Sequence, residues 1–219
     1  NIINAYHSND LIKYSLKRIN QLEATVTYPF ILHIFKLNKD NYLSNNDFLR
    51  ILNTIENYIF KRVIVELPSN ALGGVFSTVH KEVDKYIENN YKLYADAFIY
   101  ALKSRTGNSR FPDIEEFEAK LRVKDIYSMQ PKNKHYLFEK FENRDNLEHI
   151  NVYYLIQNGT FTIEHIMPQT LTEEWINDLG SEYDRIYLTW LHRLANLSLS
   201  AYNSRYSNSS FKIKKTIEK

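Results

Sequence analysis

Three observations predict a mainly α-helical fold. Apolar residues recur at helical spacing through the first 145 residues. Strand-like and hairpin-like segments begin only after Asn143. The 219-residue chain also has just 5 Gly and 5 Pro, too few for a sandwich or barrel built on many tight turns.

The elements follow in order. Leu11 to Glu23 places Leu11, Ile12, Leu16, Ile19 and Leu22 on one stripe, which predicts a helix. Pro29 opens a second apolar segment ending near Asn38. Ser44 and Asp47 make a capping-box pattern ahead of Phe48, Ile51, Leu52, Ile55, Tyr58 and Ile59, the strongest helix pattern in the sequence. Pro68 closes that region, and Ala71 to Glu88 is a further helix despite Gly73 and Gly74 near its start. Leu93 to Lys103 repeats the spacing, and Thr106 to Arg110 reads as a loop. Pro112 and the acidic residues after it start a helix over Asp113 to Leu121. His135 to Glu142 is another helix.

The pattern then changes. Val152 to Ile156 is β-branched and aromatic, Asn158-Gly159 is a hairpin dipeptide, and Phe161 to Ile166 suits a second strand. Trp175 to Leu179 is short and helical, Leu197 to Leu199 is a strand candidate, and Tyr202 to Lys219 is a basic terminal helix or a loop leading into one. The expected organisation is a helical domain over 1–145 and a smaller module over 146–219 that holds a β-hairpin under the terminal helix. The chain has no initiating Met, so it is expected to be a fragment of a longer protein.

Composition narrows the function. With no Cys, a disulfide scaffold, a thiolate zinc site and a cysteine nucleophile are excluded, and a reducing, cytoplasmic setting is expected. No apolar run reaches the length of a membrane span, so no membrane association is expected. A net charge of +2 does not advertise a nucleic-acid binder, but from Asn196 onward five Lys or Arg face a single Glu.

The chemistry concentrates in Thr162-Ile163-Glu164-His165-Ile166-Met167-Pro168-Gln169. A carboxylate directly before a histidine at a strand end faces the opposite side, so the two cooperate only if the chain bends. Pro168 supplies the bend. Downstream stand Leu194-Ala195-Asn196-Leu197-Ser198-Leu199, then Tyr202-Asn203-Ser204, Ser207-Asn208, Phe211 and Lys214-Lys215. Glu148-His149-Ile150 repeats Glu164-His165-Ile166 sixteen positions earlier but lacks the Pro-Gln that follows. His192, near the middle motif, reads as a partly buried polar residue in preference to one supporting the site, and His33 as a hydrogen-bonded residue of a packed helix.

This ordered set resembles the HNH, or ββα-metal, nucleases. It is most similar to the C-terminal nuclease domain of the GmrSD-type restriction endonucleases, which include the SspE-like nickases. The match covers residues 160–215, with Ala195 where the family often has Gly. Ile55-Glu56-Asn57-Tyr58 with Lys61-Arg62, and Arg110-Phe111-Pro112-Asp113 with Glu116-Phe117, look like the helical segment ahead of that nuclease.

The resemblance implies a metal-dependent DNA endonuclease or nickase that serves restriction and antiviral defence. It assigns His165 as general base and Asn196 as the residue that holds the active-site loop and orients it. Glu164 and Asn203 are implied as ligands of one divalent cation, Mg²⁺ or Mn²⁺, with Asn208 the rival of Asn203. Arg205, Lys212, Lys214 and Lys215 are implied as phosphate contacts, the alternative being a solvated helix face. The implied partners are DNA and an N-terminal nucleotide-hydrolysing sensor domain of the same protein, and a homo-oligomer is left open. Two other readings stand beside this one. One is a helical binding module whose inactive nuclease-like fold binds DNA or a partner protein. The other is an RNA nuclease, since nothing in the residues reads or excludes a 2′-hydroxyl.

Overall fold

The computed structural model describes residues 2–88, 93–146, 148–201 and 206–216. It is mainly helical with a single two-stranded sheet among those residues, as the sequence leads one to expect. The chain divides into two compact units, residues 1–118 and 119–219.

The first unit contains α1 (Asp10–Gln21), α2 (Tyr28–Lys39), α3 (Asn45–Ile64), α4 (Ala71–Glu88) and α5 (Tyr94–Lys103); α6 (Ile114–Val123) covers the division. Two of these helices start on capping side chains. The Asn9 side chain accepts from the amides of Leu11 and Ile12, and Ser44 Oγ accepts from Asp47 N at 3.0 Å. Helix α1 packs on α3, and α4 on α5. Their apolar stripes close one core, with Ile12, Leu16, Ile51, Ile55, Val79 and Phe98 all fully buried. Phe30 stacks on Phe98 with ring centroids 4.7 Å apart. Inside this apolar packing lies an ion pair, Arg18 Nε to Glu56 at 2.7 Å. Arg18 also reaches Ser15 Oγ, and Ser15 donates to Asn53.

His33 donates to or accepts from Tyr94 Oη at 3.2 Å and lies 5.4 Å, ring to ring, from His80. Burial, then the neighbouring His80 and Lys36, lowers its pKa, with Asp84 opposing. The folded protein therefore takes up this proton less readily than the unfolded chain. The contribution to stability is full above the ordinary histidine pKa and is lost as pH falls below it. Thermal melts are expected to show a Tm that drops from about pH 7 to about pH 5, and a smaller drop in His33→Gln. An equal drop in both proteins refutes the assignment.

The second unit holds α7 (Pro131–Glu142), α8 (Val152–Gln157), β1 (Thr162–His165), α9 (Glu173–Leu179), α10 (Tyr183–Trp190), β2 (Leu197–Ser200) and α11 (Phe211–Thr216). Here two expectations are corrected. Val152 to Ile156 is helical, and Asn158-Gly159 does not join two strands. The reason is capping. Asn151 accepts from Tyr154 N, and the Glu139 carboxylate accepts from Tyr153 N at 2.8 Å, so the helix start carries a negative group from α7. Gly159, at φ +77°, then ends α8 in the left-handed conformation suited to a helix stop. The partner of β1 is β2, antiparallel, with Thr162 opposite Ser200 and His165 opposite Leu197. Helix α10 was not expected from the sequence.

Candidate functional site

His165 ends β1 and Leu197 begins β2, so the histidine sits at the open end of the ribbon. The ribbon is continued by one more bond, Ile166 N to Asn196 O at 2.9 Å. Asn196 then closes the corner with its side chain. Its Oδ1 accepts from Met167 N at 2.7 Å, and its Nδ2 donates to Met167 O at 3.0 Å and Leu191 O at 2.9 Å. A buried amide with its donors and acceptor satisfied specifies one backbone path. The turn after β1 is thus tied to the turn before β2, with Pro168 next in the chain.

His165 is only 5% exposed. Its Nε2 lies 3.2 Å from His192 Nδ1, and its Nδ1 lies 3.4 Å from Gln169 Nε2. Tyr127 meets the ring edge-on at 4.5 Å and stacks on His192. Burial lowers the His165 pKa to about 4, helped by His192, Lys214 and Lys134 and opposed by Asp125. The ring is therefore neutral at physiological pH, the form in which it can accept a proton.

Glu164 faces the other way, as strand alternation requires. It is buried, and Oε1 accepts from Lys214 Nζ at 2.7 Å; that ammonium also donates to His165 O at 2.9 Å. Lys214, expected at the DNA backbone, is therefore turned inward, with a side chain only 7% exposed. A buried carboxylate requires a compensating charge, and the inner face of α11 provides it. Lys212 is exposed, and Lys215 is exposed with its ammonium 4.9 Å above the Phe211 ring. Asn203 and Arg205 lie outside the described residues. His149, in the repeated triplet, is exposed.

A polar cleft of about 170 Å³ opens beside His165, lined also by Tyr127, Glu164, Gln169, Ser207 and Asn208. A larger hollow of about 320 Å³ lies beside Glu164 and Lys214, lined by Phe161, Ile166 and Phe211, but no histidine borders it. The smaller cleft is the one that His165 borders. Its amides and hydroxyl offer oxygen donors of the kind a hard cation takes, while the carboxylate of Glu164, a residue that borders the cleft, is bound to Lys214. Among the described residues no three His, Asp or Glu side chains form a metal set.

His192, Tyr127 and Gln169 complete the surroundings of His165 and were not assigned from the sequence. His192 stands four residues before Asn196 and Gln169 four after His165, which are the clues available in the chain. Tyr127 is one of 17 tyrosines, and nothing marks it.

A histidine, an amide-locked turn and a polar cleft meet at the end of the two-stranded ribbon. Residues 111–219 match the model of the GmrSD restriction endonucleases, C-terminal domain, and the chain belongs to that family. Membership ties it to restriction-endonuclease function, to nuclease chemistry and to DNA as substrate. No curated protein and no solved structure matches the chain. No helix of the described residues is long and apolar enough to cross a membrane.

Proposed function

We propose that the chain is an HNH-type, divalent-metal-dependent DNA endonuclease or nickase, the effector part of a restriction and antiviral defence protein. The observation that carries this reading is His165, neutral and held on the amide-locked ribbon end, bordering the polar cleft. The catalytic module is proposed over residues 146–219, with Tyr127 supplied from outside it.

The reaction balances simply. Water attacks the scissile phosphorus while His165 takes its proton; the new P–O bond forms as the bond to the 3′ oxygen breaks, and that oxygen takes a proton from solvent. Asn196 keeps the loop, and so the histidine, in one place. A bound Mg²⁺ or Mn²⁺ would offset charge on the phosphate and the departing oxygen, held by Glu164 and by Asn203 or Asn208. Glu164 would then share its carboxylate with Lys214 or release it. Cleavage of plasmid with Mg²⁺ or Mn²⁺, and its loss in EDTA, tests the reading.

One observation favours the second reading, an inactive nuclease-like module that binds DNA or a partner. The carboxylate needed for a metal is already paired with Lys214. Plasmid left uncut at every metal concentration, with DNA binding intact, decides for it.

Lys212 and Lys215, both exposed, are proposed phosphate contacts, together with Arg205, seven residues before Lys212 in the sequence. Replacing Lys212 and Lys215 by Gln is expected to weaken DNA binding for all sequences alike. The slope of log affinity against log salt should fall by about one unit per lost contact. Lys214→Gln should behave differently, disturbing Glu164 rather than the salt slope. A slope that is unchanged in the double variant removes the two lysines from the interface.

A further inference from the structure

We propose that His192 is a positioning residue for His165: its Nδ1 accepts the Nε2–H of His165, which leaves the Nδ1 lone pair of His165 as the proton-accepting atom. This rests on His165 being the general base. Of two ring nitrogens that share a hydrogen bond one donates and the other accepts, and the 3.2 Å contact joins His165 Nε2 to His192 Nδ1. The other nitrogen decides the direction. Gln169 presents its amide nitrogen, a donor, to His165 Nδ1 at 3.4 Å. A donor faces an acceptor, so Nδ1 is bare and the proton of His165 sits on Nε2.

Both neighbours are anchored. The His192 carbonyl accepts from Ile126 N at 2.9 Å and from Tyr127 N at 3.4 Å. Its ring stacks on Tyr127 with centroids 5.2 Å apart and planes 11° from parallel. Asn196 holds the carbonyl of Leu191, one residue earlier. On the other side, Tyr187 Oη donates to the Gln169 carbonyl. His165 is therefore gripped at both nitrogens by residues whose own backbones are fixed. Rotation of the ring, or transfer of its proton to Nδ1, would turn an N–H toward the attacking water and leave no base. When Nδ1 takes the proton from water, the new charge is shared through Nε2–H with His192. Gln169 gives up its weak contact to the incoming water.

The test uses the full chain labelled with nitrogen-15 histidine, His165 being assigned with His165→Gln. Long-range proton–nitrogen spectra at neutral pH are expected to show His165 as the Nε2–H tautomer, and as a mixture of tautomers in His192→Leu. In cleavage, His192→Leu is expected to lower kcat about 10- to 100-fold with KM for DNA unchanged, a part of the 10²–10⁴ that general-base catalysis contributes. His192→Asn, whose Oδ1 can stand where Nδ1 stood, is expected to recover most of that loss. An Nδ1–H tautomer in the unsubstituted chain overturns the proposal. So does a tautomer unchanged in the Leu variant, or equal losses in the Leu and Asn variants. If the Leu variant fails to fold, the unsubstituted and Asn proteins still decide. A chain that cuts no DNA with any metal sinks the nuclease reading alone, because the spectra read the pairing of the two histidines without turnover.

Discussion

His165→Ala is expected to abolish DNA cleavage, a loss of about 10²–10⁴ in rate if the ring is the general base. The substitution empties the centre of the site, because the ring touches Tyr127, His192 and Gln169. It leaves the Asn196 hydrogen bonds, all made to backbone, in place. Fold retention is therefore expected, with a modest fall in Tm from the small cavity. His149→Ala is the matched control, since that exposed side chain sits in the same Glu-His-Ile triplet outside the cleft. Plasmid cleavage at saturating Mg²⁺ distinguishes them. Activity that survives His165→Ala removes the HNH mechanism, and equal loss in both variants means that the wrong triplet has been chosen.

The largest expected effect on stability comes from the other unit. Glu56→Ala strands the buried Arg18 guanidinium without its carboxylate, with side chains only 10% and 3% exposed in the pair. Breaking such a pair from one side costs about 3–5 kcal/mol, whereas replacing both partners with apolar residues is often neutral. Urea unfolding of Glu56→Ala and of Arg18→Met/Glu56→Leu should therefore differ by most of that amount. Both tryptophans, Trp175 and Trp190, lie in the second unit, so far-UV circular dichroism is the appropriate probe. If the double variant is as unstable as the single one, the pair is more than a compensated charge.

Legibility from sequence follows the range of the interaction. Ser44 caps α3 through its own neighbour Asp47, and the stripe of α3 from Phe48 to Ile59 is buried as its spacing implies. Such features need only a few consecutive residues. Val152 to Ile156 has the composition of a strand, yet Glu139 from α7 caps it as a helix. Propensity is a weak prior that one tertiary hydrogen bond can reverse. In the site, the ordered motifs locate His165 and Asn196 and lead to the family, which the family model supports over residues 111–219. They do not reveal what each side chain touches.

By itself the sequence determined the mainly helical character, the Ser44 cap of α3, the histidine at a strand end and the kinship with GmrSD restriction endonucleases. Helical periodicity and capping are written within one or two turns of chain, and the motif residues are chemically distinctive wherever they stand. Only the tertiary structure decided that β1 pairs with β2, that Glu164 is neutralised by Lys214 from 50 positions away, and that His192 meets His165 across 27 positions. Each of these is a choice among partners of similar chemistry: two strand-like runs for β1, several lysines on one tail, seven histidines in the chain. Local sequence cannot rank them, because burial, charge compensation and register are settled only when the whole second unit packs.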